Sequence, residues 1–529
     1  MTFPFPFSRH FSTDSAATEN RWLFLDQQAV IFLLISGAFC IYVLKVVASS
    51  VSTVKAPVVG YRSFAEPNWL VGLRFFRNSV VIINEGYGKY KNSMFKIRRN
   101  DGEILIISNK HADHIRSLPE HQVSGLAAHV KNLSGQFTNT TILLEGDLLT
   151  RVIQQRLTPN LALVALWMKE ELDYAIKVEV PECQDEWVSV SIHDILLRLV
   201  NRVSARVFLG PVACRNEEWL STSIRYTENI QGVILTLRML PTYMHYFVAP
   251  LLPAYWRVRA NLATAKHIIG PIVRKHQAAG NGKASYDGTE DILQWMMHMG
   301  SVSESRPNKL AHRQLLLSMA AVHTSSMSAA HAMYDLCAYP QYFDPLREEL
   351  ESTLKSSGGW TKPAMPKLRK LDSFLKESQR VNPPASFAFN RIVREPLRLA
   401  DGTILPPGTH IAMASDAILN DPEYLPGENT EFEPFRWARL RDDPAHPENV
   451  HRYQFATTDS NNLHFGHGKY ACPGRFYAGQ QIKMILGHLI LLYDFKYPFG
   501  QGRPRNLCSD ENIYPDPLAK VLIRRRNEK

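Results

Sequence analysis

Phe465-Gly466-His467-Gly468-Lys469-Tyr470-Ala471-Cys472-Pro473-Gly474-Arg475 is the stretch that decides the fold. A solitary cysteine stands among glycines, just ahead of a proline and an apolar periodic run, Phe476, Ile482, Ile485, Leu486 and Leu489. Pro473 suits the first turn of a helix, and the run predicts a core-facing stripe. Cys472 is thereby expected at a helix N-terminus, where the macrodipole and free backbone N–H groups favour a thiolate. Gly468 and Gly474 leave room for a flat ligand against the backbone. Taken alone, the motif also fits a buried structural cysteine in a Gly-rich turn.

The other cysteines are Cys40, Cys183, Cys214, Cys337 and Cys508, with no C-x-x-C among them. Such dispersion argues against a zinc ribbon or redox dithiol and suits a reducing compartment. A cysteine that matters here acts singly, as nucleophile or metal ligand.

Three further pieces precede the motif in order. Ala320-Ala321-Val322-His323-Thr324-Ser325 places a hydroxyl inside an apolar helical stretch. Glu377-Ser378-Gln379-Arg380 is an E-x-x-R whose ends share a helix face. Phe432-Glu433-Pro434-Phe435-Arg436-Trp437 supplies a second arginine. Singly, each has a bland reading. An E-x-x-R is usually a solvated ion pair, and a mid-helix threonine usually bonds its own backbone. Joint order and spacing carry the weight.

The 529 residues, 45% hydrophobic and 21% charged, allow a large core. The net charge of +10 is spread out, with Arg524-Arg525-Arg526 the nearest thing to a run, and no nucleic-acid motif is visible. Residues 29–44 carry no charge, and an apolar continuation to Val51 follows Lys45, which can snorkel. This predicts an uncleaved transmembrane anchor over residues 29–51, after a tail at 1–28 and before a Pro/Gly hinge at 52–62. The body, 63–529, reads as mainly helical with small β-sheets. A hairpin is predicted at Asn100-Asp101-Gly102, with further turns at Asp401-Gly402 and Pro406-Pro407-Gly408. Helical spacing covers 148–177, 310–338 and 471–493. Residues 233–256, apolar but broken by three prolines, read as a membrane-dipping loop or a buried helix pair.

With these four motifs the chain resembles the cytochrome P450 family from about Pro57 to its C-terminus. The wording FGHGKYACPGR, AAVHTSS and APVVGY is similar to fungal enzymes of secondary metabolism, including terpenoid oxidases of the ent-kaurene oxidase type. The resemblance implies the cytochrome P450 fold, preceded by one transmembrane helix. It implies haem b, iron protoporphyrin IX, with Cys472 as axial thiolate and Phe465 packed beside the sulfur. Glu377, Arg380 and Arg436 would form a buried triad locking the cysteine loop to the core. Thr324 would assist proton delivery over the distal face. Arg391, His410 and Tyr470 would meet the haem propionates. An acid usually precedes the threonine; His323 stands there instead, so protons would pass through imidazole or water, or His323 bonds a neighbour. Tyr470 replaces the usual base two residues before the cysteine. The usual Trp and Arg of the early helix fall near Thr150 and Gln154, leaving Arg151 or Arg156 to stand in.

The implied reaction is O2-dependent oxidation of a lipophilic small molecule, a terpenoid first and a polyketide or indole-terpenoid second. Ala320, Ala321, Thr324, the segment 385–389, the 120s–130s loop and Ile513-Tyr514-Pro515 would line the pocket. Electrons would come from NADPH through a separate NADPH-cytochrome P450 reductase, since no flavin or nucleotide domain is visible. The protein would be single-pass in the endoplasmic reticulum, its catalytic domain in the cytosol, in contact with membrane lipid and no nucleic acid. Rival readings are an isomerase or dehydratase on the same fold, a haem sensor or carrier, and an enzyme using Cys472 as a nucleophile.

Overall fold

The computed structural model describes residues 54–63, 65–280, 290–427 and 430–527, with Val30, Ser36 and Gly37. The chain divides into a short unit, Met1–Lys55, and a body, Ala56–Lys529. The expected tail and anchor, 1–28 and 29–51, therefore lie almost wholly outside the described residues. Among the described residues no helix is long and apolar enough to cross a membrane.

The body is mainly helical around one large apolar core. Its central element is the 32-residue helix Pro307–Ala338, about 48 Å long at 1.5 Å per residue. Pro307 opens it at a position where no N–H is needed. It is buried on nearly every side, as expected of a helix running through a core rather than along it. Ala320 and Thr324, one turn apart, are exposed in its middle. Helix Arg475–Leu492 is likewise buried almost all round. It starts two residues after Pro473, and Phe476 is exposed at 36%, so the expected core stripe begins only at Tyr477.

The predicted continuous helix over 148–177 is broken. Leu148–Val152 passes into a wider turn, Ile153–Leu157, and a new helix, Leu161–Glu179, follows. Pro159 lies in the break, where it cannot donate to the preceding turn. Residues 233–256 match neither expectation in full. Helix Glu217–Arg238 ends in short turns, Thr242–Met244, His245–Val248 and Ala249–Leu251, before helix Pro253–Gly280. Tyr243, Tyr246, Phe247, Leu251 and Trp256 are exposed there.

A five-stranded sheet flanks the helices in the order Met94–Arg99, Gly102–Ile107, His410–Met413, Ala388–Val393, Val123–Ser124. The predicted hairpin pairs Arg99 with Gly102 across Asn100-Asp101. The turns at Gly402 and Gly408 adopt φ of +86° and +88°, which glycine takes without strain. In the expected hinge, Lys96 N–H donates to the Pro57 carbonyl at 2.8 Å, so this segment lies on the sheet edge. Strand Ala388–Val393 carries Arg391 toward the cysteine loop and thereby links sheet to site.

Candidate active site

The cysteine loop is shaped by three backbone hydrogen bonds. Gly466 N–H donates to Leu463 O (2.7 Å), Ala471 N–H to Gly468 O (3.0 Å) and Cys472 N–H to Phe465 O (2.7 Å). Phe465 stacks edge-on against Phe455, with ring centroids 5.3 Å apart. Gly468 has φ +71°, and an added Cβ there would overlap the Arg116 side chain and lie 2.8 Å from its carbonyl. Gly468 thus serves contact with Arg116 rather than room for a ligand. Gly474 faces open space. Gly468→Ala is expected to destabilise the protein by about 1–3 kcal/mol, read by thermal unfolding of the holoprotein.

Cys472 is exposed, yet burial pushes its thiol pKa up. Both hold because the sulfur looks into open space enclosed by the body. The backbone N–H groups of Gly474 and Arg475, with the Arg475 charge, pull the other way. The expected thiolate preference at the helix start is present but outweighed by desolvation. Ala320 and Thr324 show exposure of the same interior kind, on a helix otherwise packed into the core. Thr324 Oγ1 donates to the Ala320 carbonyl at 2.7 Å.

The structure brings Glu377, Arg380 and Arg436 together. Arg380 Nη2 lies 2.7 Å and Arg436 Nε 3.6 Å from Glu377 Oε1, with the glutamate side chain 0% exposed and each arginine 2%. Trp437 Nε1–H and Glu433 N–H also donate to Glu377, at 2.9 and 3.0 Å. Arg380 reaches the Thr430 and Glu431 carbonyls, and Arg436 those of Pro426 and Glu431. These bonds tie helix Arg369–Val381 to residues 426–437, not to the cysteine loop. The link to that loop runs through Asp372. It meets Lys483 Nζ at 3.0 Å and Arg441 Nη1 at 3.1 Å, and accepts the Phe455 N–H at 2.9 Å; Phe455 in turn holds Phe465. Sequence reasoning missed Asp372 because its partners are 111 and 69 residues away. An acid in the buried stripe of Leu371, Phe374 and Leu375 was the only local signal.

Arg391 is 3% exposed and has no carboxylate partner among the described residues. Its guanidinium lies 4.1 Å from the Phe389 ring centroid and 4.6 Å from that of Tyr470, and Nη2 donates to the His467 carbonyl at 3.4 Å. Its Nε is buried without an acceptor. Burial pulls its pKa down to about 10, so it stays charged at neutral pH. A desolvated cation of this kind requires an anion.

The structure places the other expected residues as follows. Tyr470 gives its hydroxyl to Glu120, so the phenol is engaged elsewhere. His410 pairs across the sheet with Ile392, while Arg391 pairs with Ile411. The two side chains therefore leave opposite faces, and His410 Nε2 bonds Asn390 Oδ1 at 2.9 Å. His323 points at the neighbouring helix, its Nε2–H donating to the Ile224 carbonyl at 3.3 Å, with its pKa drawn down to about 4 by burial. Arg151 turns to Asp147, Glu304 and the Met299 carbonyl. Phe387 and Phe389 are buried, Phe387 within the sheet's core, leaving Ala385 and Ala388 as the partly open positions. Ile513 and Pro515 are buried too, and Tyr514 is partly open.

An iron porphyrin fits these residues: one sulfur facing an enclosed space, small side chains and a hydroxyl on the central helix, and a buried cation lacking its anion. The chain belongs to the cytochrome P450 family, whose model, Cytochrome P450, matches residues 65–522. It is a cytochrome P450 monooxygenase. Its relatives include a cytochrome P450 monooxygenase of Emericella nidulans, 51% identical over 95% of this chain and 93% of that protein. Another, from Penicillium canescens, is 46% identical over 94% of each. The ent-kaurene oxidase of Fusarium fujikuroi is 44% identical over 96% of this chain and 95% of its own length.

Proposed function

We propose that this protein hydroxylates or otherwise oxidises a lipophilic secondary metabolite, a terpenoid intermediate of a fungal pathway, using O2 and electrons from NADPH through a separate reductase. The observation that carries this reading is Cys472 exposed although surrounding protein raises its thiol pKa, with Ala320 and Thr324 exposed on the otherwise buried central helix. The chemistry supplied there by a bound iron protoporphyrin is activation of dioxygen and insertion of one oxygen atom into a C–H bond. Cys472 would hold the iron, Arg391 would neutralise a propionate, and Phe465 would pack beside the sulfur. Glu377, Arg380 and Arg436 brace the segment beneath. Ala320 and Ala388 leave room for a bulky apolar substrate, and burial of the cleft excludes water. Thr324 keeps a proton at Oγ1 close to the reacting centre. His323 acts as a brace to helix Glu217–Arg238 rather than as the acid of a relay.

The terpenoid assignment is supported by ent-kaurene oxidases 44–45% identical over 95–96% of this chain. We further propose the organisation read above: a tail at 1–28, an endoplasmic reticulum anchor at 29–51, a hinge at 52–62 and a cytosolic catalytic domain at 63–529. The exposed aromatics of residues 243–256 suit contact with lipid headgroups.

The test is incubation of membranes carrying this chain and a reductase with tetracyclic diterpene hydrocarbons and, separately, indole-terpenoids and polyketides. NADPH- and O2-dependent gain of oxygen by a diterpene is expected. Turnover of indole-terpenoids or polyketides alone would replace the substrate class, and turnover without NADPH would favour an isomerase or dehydratase. Thr324→Ala is expected to keep NADPH consumption while product per NADPH falls roughly 10-fold, within the range for a positioned proton donor; Thr324→Ser should restore it.

A further inference from the structure

His129 lies on helix Gly125–Asn132, within the 120s–130s segment expected to line the pocket, and was not itself singled out in the sequence. Its side chain is exposed while its neighbours Ala128 and Val130 are buried, yet burial draws the imidazole pKa down. That combination matches Cys472, and it means the ring faces enclosed open space rather than the outer surface. No hydrogen bond, ion pair or ring contact engages the side chain among the described residues.

The helix fixes what the ring faces. Gly125 is packed so tightly on the cysteine loop that an added Cβ would lie 2.7 Å from Tyr470 Cγ. His129 is four residues on, hence on the same helix face and about 6 Å further along. Arg391, the buried cation without an anion, lies against the same Tyr470 ring at 4.6 Å. A cation that bonds only backbone carbonyls and lacks an anion, and a helix face carrying an unengaged imidazole, thus meet one aromatic ring, whereas Tyr470 itself is committed to Glu120. The usual polar residues of the early helix are absent from this chain, and Arg151 is turned away.

We propose that His129 donates a hydrogen bond to the anionic edge of the cofactor, a propionate carboxylate, sharing with Arg391 the role left open by Tyr470 and His410. This rests on reading the cleft as the haem site. The neutral ring carries one N–H, and an anion beside it favours gain of a second. His129 is a positioning residue for the cofactor and does not touch the reacting atoms.

Haem transfer from purified holoprotein to excess apomyoglobin tests it. Because the ring faces open space, His129→Ala removes the donor without leaving a packing hole. Transfer is expected to be about tenfold faster in His129→Ala, in line with loss of one charge-assisted hydrogen bond, and His129→Gln should recover part of the difference. The carbon monoxide difference band should keep its position, since the sulfur is untouched. Reconstitution with haem dimethyl ester supplies a second arm within the wild-type protein: esterification should speed loss more in wild type than in His129→Ala. Equal transfer rates for wild type and His129→Ala would overturn the proposal. So would an unchanged transfer rate with weakened substrate binding, which would assign the ring to the substrate. A wild-type protein with no thiolate band would instead remove the haem site itself, and this inference with it.

Discussion

Cys472→Ala is expected to abolish the red-shifted Soret band of the reduced carbon monoxide complex and all NADPH-dependent turnover. The other described cysteines cannot substitute. Cys183, Cys214 and Cys337 are buried, and Cys508 is exposed on strand Leu507–Ser509. Burial pushes the thiol pKa of Cys183, Cys214 and Cys337 up, Cys214 to about 12. The sulfur of Cys472 looks into open space, so its loss should leave the fold standing; a retained circular dichroism spectrum with no thiolate band is the expected pair of results. Retained turnover would sink the assignment. A pH dependence follows from the same group. Iron takes the thiolate, while burial holds the free thiol above its ordinary pKa of 9.0. Below that pKa the thiolate fraction falls tenfold per pH unit, so haem uptake by the apoprotein should strengthen with rising pH by up to about tenfold per unit, with proton release.

Glu377→Ala is the substitution expected to cost the most stability. Two carboxylate oxygens serve Arg380, Arg436, Trp437 Nε1–H and the Glu433 N–H, all out of water. Removing the acid leaves the buried Arg380 guanidinium without its anion and Arg436 with only the carboxylate of Glu433, 3.5 Å from Nη2. The cost is on the order of 3–5 kcal/mol, a large share of the 5–15 kcal/mol that holds a typical domain together. Urea unfolding of the holoprotein should show a midpoint collapse or no folded population at all. Glu377→Gln, which still accepts from Trp437, should fall between. A variant as stable as wild type would show that residues 426–437 are held by other means.

The fold was legible where the signal is local. Asn100-Asp101-Gly102 announces its hairpin because few residues tolerate that backbone, and the helical spacing over 310–338 announces the central helix. The limits are as physical. The helix over 148–177 breaks at Pro159, although its apolar spacing continues on both sides. Phe387 and Phe389 look like pocket walls by hydrophobicity alone, yet the sheet takes Phe387 into its own core and Phe389 is buried beside Arg391. Motif residues came together because the E-x-x-R and the Phe-x-Pro-x-Arg stretch each hold complete local information. Asp372, Glu120 and His129 did not stand out, since an isolated acid or imidazole reads as solvated until its neighbours are known.

The amino-acid sequence alone marked Cys472 as the candidate ligand and pointed to the family around it. A glycine-bounded loop running into a buried helix is encoded in contiguous residues and short-range sterics. Only the tertiary structure decided which polar side chains face the cleft. That choice turns on helix phase and strand face, one residue's rotation separating Thr324 from His323 and Arg391 from His410. It also turns on partners far away in the chain, such as Glu120 for Tyr470, which claim a group before any cofactor can.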